Sequence, residues 1–445
     1  MTFSKRINQP QAKAELVIGM KRALILLALF FFLLAPMRSE DYYNTAEIVS
    51  IEKTQEIIAR IRNMGLDLLM EWEGRIYILA GFEELVKLQI ENIPYKLEGS
   101  ELSSSNIQDA AAQSSINGEY HSYYEIEQEL TAMEVSYPYL AKVFDIGDSL
   151  ENRNIYALKI SDNVQIDEDE AEVIFLGCHH AREWISVEVP FLLGKYLVEN
   201  YETSPEIKNM VDRSEIWIIP LVNPDGLEYS IHFYRYWRKN RRLNEDGTYG
   251  VDSNRNYGYK WGLDNNGSSP NTSSEEYRGP APFSEPETQA IRDLFAQKEF
   301  KSLISYHSFS RLIMYPWGYT NQPSEKEALL STMAGEMASL IQSVNGSIYE
   351  YGPAGSSLYL TNGDTTDWAF GVYGIPSFTV ELPPVDHMQG GFFNAENDIY
   401  PIFSENLPAM LYLIRWSIEQ KNQDDVKLKK KYERLERKKL KVKYQ

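Results

Sequence analysis

One cysteine, Cys178, stands among 445 residues. No intrachain disulfide can form, and zinc sites built from clustered cysteines are excluded. Histidine is nearly as scarce: His121, His179, His180, His232, His307 and His387 are all there are. Positive charge is short too. Sixty-four acidic residues outnumber 44 basic ones, giving a formal net charge of −20, and so acidic a chain is not expected to bind nucleic acid. No Lys or Arg lies between Lys96 and Lys142. Long apolar runs are missing except for ALILLALFFFLLAPM at 23–37. Lys21 and Arg22 precede that run and the polar SEDYYN follows it, the pattern of a secretory signal. The run is shorter than the ~20 residues a membrane span needs, so membrane contact is expected only if this segment stays uncleaved. We assign 1–39 to a signal with an N-terminal extension, Met20 being an alternative start, and expect a secreted protein, extracellular or periplasmic.

What remains is ordinary globular material. The chain is 43% hydrophobic with 30 tyrosines, enough for one large core of roughly 300 residues and a smaller unit. Residues 46–99 read as that smaller unit. AEIVSIE suggests a strand, TQEIIARIRNMG a helix, LDLLMEWEGRIYILAG two strands around a turn, FEELVKLQIENI a second helix and PYKLEG a last strand. The Ser- and Gln-rich stretch 100–117 has no hydrophobic period and reads as a linker. Beyond it, the strand-like runs IYALKIS, AEVIFLGC, IWIIPLV, KSLISYH and SFTVEL alternate with helical ones such as ISVEVPFLLGKYLVEN and SEKEALLSTMAGEMASLIQSV. That alternation predicts an α/β fold with a mixed, mostly parallel twisted sheet flanked by helices, preceded by a small α+β module. The tail 420–445 is strongly basic and is expected to be a charged helix or a disordered arm, read first as a solvated extension.

Two histidines, an arginine and a glutamate crowd into GCHHAREW (177–184), directly after the apolar run AEVIFL. NPDG follows IWIIPLV, His307 closes KSLISYH and Glu381 sits near the end of SFTVEL. All lie at the C-terminal ends of predicted strands, where open α/β sheets form ligand crevices. His180 and Glu183 are spaced H-x-x-E, and with His307 they would form a His₂Glu set that suits catalytic zinc. On spacing alone a surface histidine with a solvated glutamate is the favoured reading, and His307 alone is more often a satisfied core histidine.

The motifs HAREW, NPDG, YWRKNRR, DSNRNY, SYHSFSRLIMYPWGY and DW…SFTVEL occur in this order over residues 118–418. Together they resemble the zinc metallocarboxypeptidases of the pancreatic carboxypeptidase A/B family. The 46–99 module is similar in size and element order to the family's inhibitory prosegment. The resemblance implies one zinc ion per chain, held by His180, Glu183 and His307, with His179 a neighbour and Asp252 orienting the first zinc histidine. It implies Glu381 as general base and Arg238 as the group that polarises the scissile carbonyl. Asn254 and Arg255 would hold the substrate carboxylate, Tyr359 would close over the last residue, and Arg182 would serve a further subsite. Lys239, Arg241 and Arg242 are expected to be surface charges and Asp225 a turn residue. Phe309 stands where many relatives have tyrosine.

The implied activity is hydrolysis of the C-terminal peptide bond of peptides and proteins with a free C-terminus, by an enzyme made as a zymogen and opened by an activating protease. The pocket-floor position appears as Thr366, and Asp364 stands two residues before it. A carboxylate there would reach a substrate Lys or Arg, while Ala354 and Leu358 would accept apolar groups, so a mixed hydrophobic and basic preference is expected. The competing reading makes Asp364 a cap of the NGD turn. Two other functions are weighed against peptidase activity: a zinc amidohydrolase of the same fold acting on cell-wall peptides or acylated amino acids, and an inactive binding module. The Asn254–Arg255–Tyr359 set argues against the first. The intact set of His180, Glu183, His307 and Glu381 argues against the second.

Overall fold

The structure, a computed structural model, describes residues 47–72, 74–99, 117–386 and 389–443. The expected signal, nearly all of the linker and His387 lie outside the described residues. The N-terminal unit contains every element read from its sequence: β1 (Glu47–Glu52), α1 (Gln55–Asn63), β2 (Asp67–Trp72), β3 (Arg75–Ala80), α2 (Phe82–Ile90) and β4 (Lys96–Gly99). The strands form an antiparallel sheet in the order β2-β3-β1-β4. Side chains alternate between sheet faces. Val49, Ile51, Ile76 and Ile78 pack on Ile58, Ile61 and Leu88 of the two helices. Ile48, Tyr77 and Leu79 point the other way and are buried as well, against Tyr236, Phe309 and Phe392 of the following unit. A sheet with two buried faces needs a partner on each, and here the second partner is the larger unit.

That unit is ordered α3 (Tyr123–Ser136), β5 (Ala141–Asp148), β6 (Asn154–Ile160), β7 (Ala171–Leu176), α4 (Ile185–Asn200), α5 (Pro205–Val211), β8 (Ser214–Ile219), α6 (Pro224–His232), α7 (Pro286–Phe295), β9 (Phe300–Ser308), β10 (Leu312–Tyr315), α8 (Glu327–Asn345), β11 (Glu350–Pro353), α9 (Ala354–Ser357), α10 (Thr365–Trp368), β12 (Ser377–Leu382) and α11 (Ile399–Lys443). Its sheet runs β11-β10-β12-β9-β7-β8-β6-β5. The central strands β12, β9, β7 and β8 are mutually parallel, and antiparallel pairings lie toward the two edges, so the mixed, mostly parallel sheet is borne out. All six residues of β7 are buried. Val173 and Phe175 face a core shared with α3, α4, α8 and α11, while Ile174 and Leu176 face one shared with α7 and α10. Helices on both faces explain why the parallel strands read as continuous apolar runs.

Several elements were not expected from the sequence. β10 and β11 are four residues each, too short for a period-2 signal, and β5 mixes charges into an edge strand. α3 opens with a capping box in which Ser122 and Glu125 each bond the other's backbone N–H, a signal present in the sequence but not used. The basic tail is no separate arm, because α11 runs unbroken from Ile399 to Lys443. No helix among the described residues is long and apolar enough to cross a membrane.

The turn after β7 depends on a missing side chain. A Cβ on Gly177 would lie 2.1 Å from the Ser186 carbonyl oxygen and 2.7 Å from that of Pro220, and backbone cannot move aside cheaply. Gly177→Ala should therefore destabilise the protein by about 1–3 kcal/mol, read as a lowered denaturation midpoint with unchanged slope. A midpoint equal to the parent's would show that the turn has slack.

Candidate active site

The polar residues that end the central strands converge. His180 and Glu183 lie in the loop between β7 and α4, and His307 is the penultimate residue of β9. The loop is held from several sides. Cys178 takes a positive φ of 53°, its N–H donates to Ser186 Oγ at 3.1 Å, and the Ala181 N–H donates to the Arg238 carbonyl at 2.9 Å. Ser253 Oγ and Asn223 Nδ2 both donate to the His179 carbonyl. His179 itself is fully buried and faces away from the convergence, reaching Tyr257, Ser305 and Thr365. His180 and His307 turn their Nδ1 atoms toward each other at 3.1 Å, and each Nδ1 meets a different oxygen of Glu183, at 2.8 and 3.0 Å.

These three side chains fit a metal ion on their own chemistry. Their donor atoms all lie within 4.8 Å of one another in a buried setting. Two imidazole nitrogens and a carboxylate aimed at one point need a shared proton or a cation between them. Burial alone would raise the Glu183 pKa, but the His180 and His307 charges outweigh it and hold the carboxyl well below the usual range. Burial lowers the His307 pKa, favouring the neutral ligand form. Two histidines and a glutamate suit zinc, with a fourth position left for water or substrate.

Asp252, wholly buried, holds the surrounding groups in register. It receives His180 Nε2 at 3.2 Å, Arg238 Nε and Nη2 at 3.1 and 2.8 Å, and the Asn254 N–H at 2.9 Å. Burial opposes its charge, but Arg238 and Arg255 overcome that and hold its pKa well below the ordinary carboxylate value. Asn254 Oδ1 is fixed by the N–H and hydroxyl of Thr365. Arg255 is 1% exposed, yet its Nε and Nη2 carry no hydrogen bond. Glu276 stands 3.6 Å from Nη2, too far for one. A buried guanidinium with unpaired donors is costly, and this one borders a cavity.

The cavity has about 40 Å³ of room for water, and about 400 Å³ when all empty space out to open solvent is counted. It is lined by His180, His307 and Glu381, by Asn254, Arg255 and Tyr359, and by Met314, Ala354, Leu358, Thr366 and Thr379. The parallel pairing of β12 with β9 sets Glu381 beside His307. Burial, and then the Glu183 charge, raise the Glu381 pKa well above the ordinary value, with Arg238, Arg255 and Arg182 pulling the other way.

Asp364 lines the cavity and also caps α10. Its Oδ1 accepts from the Asp367 N–H at 2.8 Å and Thr366 Oγ1 at 2.9 Å, and its Oδ2 from Thr361 Oγ1 at 2.6 Å. Arg182 turns toward the N-terminal unit instead of the cavity. Its guanidinium makes a two-pronged pair with Asp67 of β2, one bond measuring 3.2 Å, and lies 4.4 Å over the Phe392 ring.

Four residues depart from their sequence reading. Lys239 is 3% exposed and donates to the Thr272 and Ser274 carbonyls. Arg241 lies 3.6 Å over Tyr229, with Trp237 and Tyr249 around it. Arg242 binds both oxygens of the buried Glu285. The three are not surface charges, because the loop carrying them folds over the domain and each charge finds a partner. Asp225 is no plain turn residue either. It is fully buried in α6 and receives Ser149 Oγ, the Glu151 N–H and Arg153. Sequence reading also missed Met314 and Thr379 as cavity residues. Period 2 offered a signal for Thr379, which shares a strand face with Glu381.

Comparisons with known proteins agree with this geometry. The family model "Zinc carboxypeptidase" matches residues 126–409. A zinc carboxypeptidase of Saccharothrix mutabilis subsp. capreolus is 36% identical over 287 residues, 61% of this chain and 63% of that relative. Carboxypeptidase B of Astacus astacus is 34% identical over 296 residues, 65% of this chain and 94% of the relative. Among solved structures, the carboxypeptidase A from Helicoverpa armigera aligns with a TM-score of 0.74 at 25% identity, covering 84% of this chain and 98% of that one. The thrombin activatable fibrinolysis inhibitor aligns with a TM-score of 0.72 at 27% identity, covering 84% and 99%.

If Asp252 orients His180 for a metal, Asp252→Asn should weaken zinc affinity by roughly 10–100-fold, measured by competition with a chromogenic chelator, and should also lower stability because Arg238 loses its buried anion. Affinity unchanged in a folded variant would remove Asp252 from the metal site.

Proposed function

The chain belongs to the zinc carboxypeptidase family, and from that premise we propose that it is a secreted enzyme that removes the C-terminal residue of peptides and proteins and is made as a zymogen closed by its 46–99 module. The observation that carries the substrate class is Arg255. Its buried, unpaired donors border the cavity beside Asn254 and Tyr359, and a planar fork suits a free carboxylate. A substrate anchored there places its last peptide bond toward His180, His307 and Glu381.

Arg255 and Asn254 hold the terminal carboxylate, and the last side chain enters the same cavity beside Met314, Ala354 and Leu358. Arg238 spends Nε and Nη2 on Asp252, leaving Nη1 to donate to the scissile carbonyl as negative charge builds on its oxygen. Glu381 accepts a proton from the attacking water and returns it to the leaving amine. Its raised pKa supports that task, since the carboxyl must carry the proton between the two steps. His180, Glu183 and His307 would hold zinc, which would supply an acidified water and Lewis-acid polarisation of the carbonyl.

The remaining cavity lining supports a mixed preference. Met314, Ala354 and Leu358 suit apolar side chains, and Asp364 and the Thr366 hydroxyl suit a basic one. Asp364 keeps its capping bonds, so its charge acts from the cavity's side without moving.

Closure by the module rests on three contacts. Asp67 occupies Arg182, Tyr359 packs against the module's core, and Ile48, Tyr77 and Leu79 cover Phe309 and Phe392. Two of the residues expected to meet substrate are thereby engaged. The structural likeness to relatives spans 84% of this chain, more than the catalytic family match alone. Lys96, the last trypsin target before Lys142, lies in β4 and is ion-paired to Glu98 at 2.6 Å, so a protease cutting within 100–117 at other residues should activate faster than trypsin.

Blocked dipeptides ending in Phe, Leu, Lys or Arg, each as free acid and as amide, test the substrate reading. The acids should be cleaved and the amides spared by at least tenfold, with both side-chain classes accepted and Asp364→Asn weakening only Lys and Arg. Equal rates on acids and amides would sink the carboxylate reading, and inertness toward one class would sink the mixed preference. For closure, the chain cut between 100 and 117 should be far more active than the intact one, and Asp67→Asn should raise the intact chain's activity. An intact chain as active as the cut one would leave the module without an inhibitory role.

A further inference from the structure

The outer part of α11 has no task in the catalytic reading. Its inner part is core, with Met410, Leu413, Ile414 and Ile418 buried. Lys421 then pairs with Asp169 at 2.8 Å and Asp424 lies 3.6 Å from Lys301. From Asn422 through Lys431 every residue is exposed, including Val426 at 51% and Leu428 at 49%. The helix continues to Lys443, so residues 422–443 extend for about 33 Å at 1.5 Å per residue.

Its charge is unlike that of the rest of the chain. Residues 421–445 hold eleven Lys or Arg and four Asp or Glu, a net +7, which leaves −27 on the other 420 residues. The basic residues are also ordered. Positions 427, 430, 431, 434, 437, 438 and 441 are all Lys or Arg, and their steps of three, four and seven set them along one helix face. Positions 428, 432, 435 and 442, which are Leu, Tyr, Leu and Val, share the neighbouring face. Inside the helix, Lys421 pairs with Asp425, and Lys427, the first residue of the basic face, with Asp424, which supports the helix.

We propose that residues 427–443 form a docking face for an anionic phospholipid bilayer, holding the enzyme at a membrane surface by its C-terminal helix. A bilayer takes both stripes at once: headgroup phosphates meet the Lys and Arg face, and the interface accepts the apolar one. A soluble polyanion would use only the first, and a second copy of this helix only the second. The body's −27 is repelled by the same surface, so the helix is the part that approaches, and the catalytic unit faces away from the lipid.

The full chain is compared with a variant in which Lys427, Lys430, Lys431, Arg434, Arg437, Lys438 and Lys441 are all replaced by Gln. Partition coefficients are measured by sedimentation with phosphatidylcholine vesicles, with and without about a third phosphatidylglycerol. The apolar run at 23–37 is common to both proteins, so only the difference between them counts. The full chain should prefer the anionic vesicles by more than tenfold, lose that preference near 0.5 M salt as screening shortens, and the variant should show none. Both should hydrolyse a soluble peptide equally, which keeps a folding defect from imitating the result. Equal partition of the two proteins would overturn the proposal. So would polyphosphate binding without vesicle binding, or dimerisation lost in Leu428→Ser/Leu435→Ser with no lipid preference, which would assign the face to a polyanion or to a second chain.

Discussion

A single buried carboxylate sets the geometry of the site. Asp252 has no exposure to water and is surrounded by donors: an imidazole, a guanidinium and a backbone amide. Those donors belong to groups with different tasks. In the proposed mechanism His180 would bind the metal, Arg238 would face the bond to be cut, and Asn254 would sit beside the arginine that reads the substrate's end. Fixing all three through one anion gives them a common frame, so their spacing does not rely on the loops around them. The ion pair is deeply buried, where one partner without the other would be strongly unfavourable, and this makes the arrangement all-or-none. The Arg238–Asp252 pair is satisfied before any substrate arrives, whereas Arg255 is not. The site is therefore rigid at the reacting end and under-satisfied at the recognition end.

The central sheet supplies the other half of that frame. His307 and Glu381 come from adjacent parallel strands at paired register positions, so their separation is a property of the ladder. His180 and Glu183 come from the next strand's terminal loop, where Gly177 lets the chain pass against backbone oxygens. Strand ends on one edge of a sheet and a glycine at one turn suffice to bring together residues more than 200 positions apart in sequence.

Much of this was legible in the sequence, for physical reasons. Buried parallel strands carry continuous apolar runs, so AEVIFL, IWIIPLV and SFTVEL declared themselves, and chemistry-bearing residues at their ends pointed to one crevice. The N-terminal unit was readable because each of its elements has a clean period. Roles were another matter: H-x-x-E spacing alone could not separate a metal ligand from a surface histidine, and the motif resemblance decided it. What could not be read was burial of charge. Lys239, Arg241, Arg242 and Asp225 look like solvated residues in any window of sequence, because their partners Thr272, Tyr229, Glu285 and Arg153 come from distant segments. Short strands such as β10, next to the sheet's edge, were equally silent, their pairing decided by neighbours and not by their own four residues.

Cutting the segment between the two units would remove no contact between them. Asp67 would still face Arg182, and Ile48 would still rest on Phe309. What changes is the order of the reaction, because an intramolecular partner at an effective concentration on the order of millimolar becomes a separate molecule. Under the proposed closure, activation would then be governed by dilution. At high protein concentration the severed module would rebind and keep the enzyme quiet, while in a large volume it would depart. The strength of a few interface contacts would set a concentration threshold, below which proteolysis would switch the enzyme on and above which it would not.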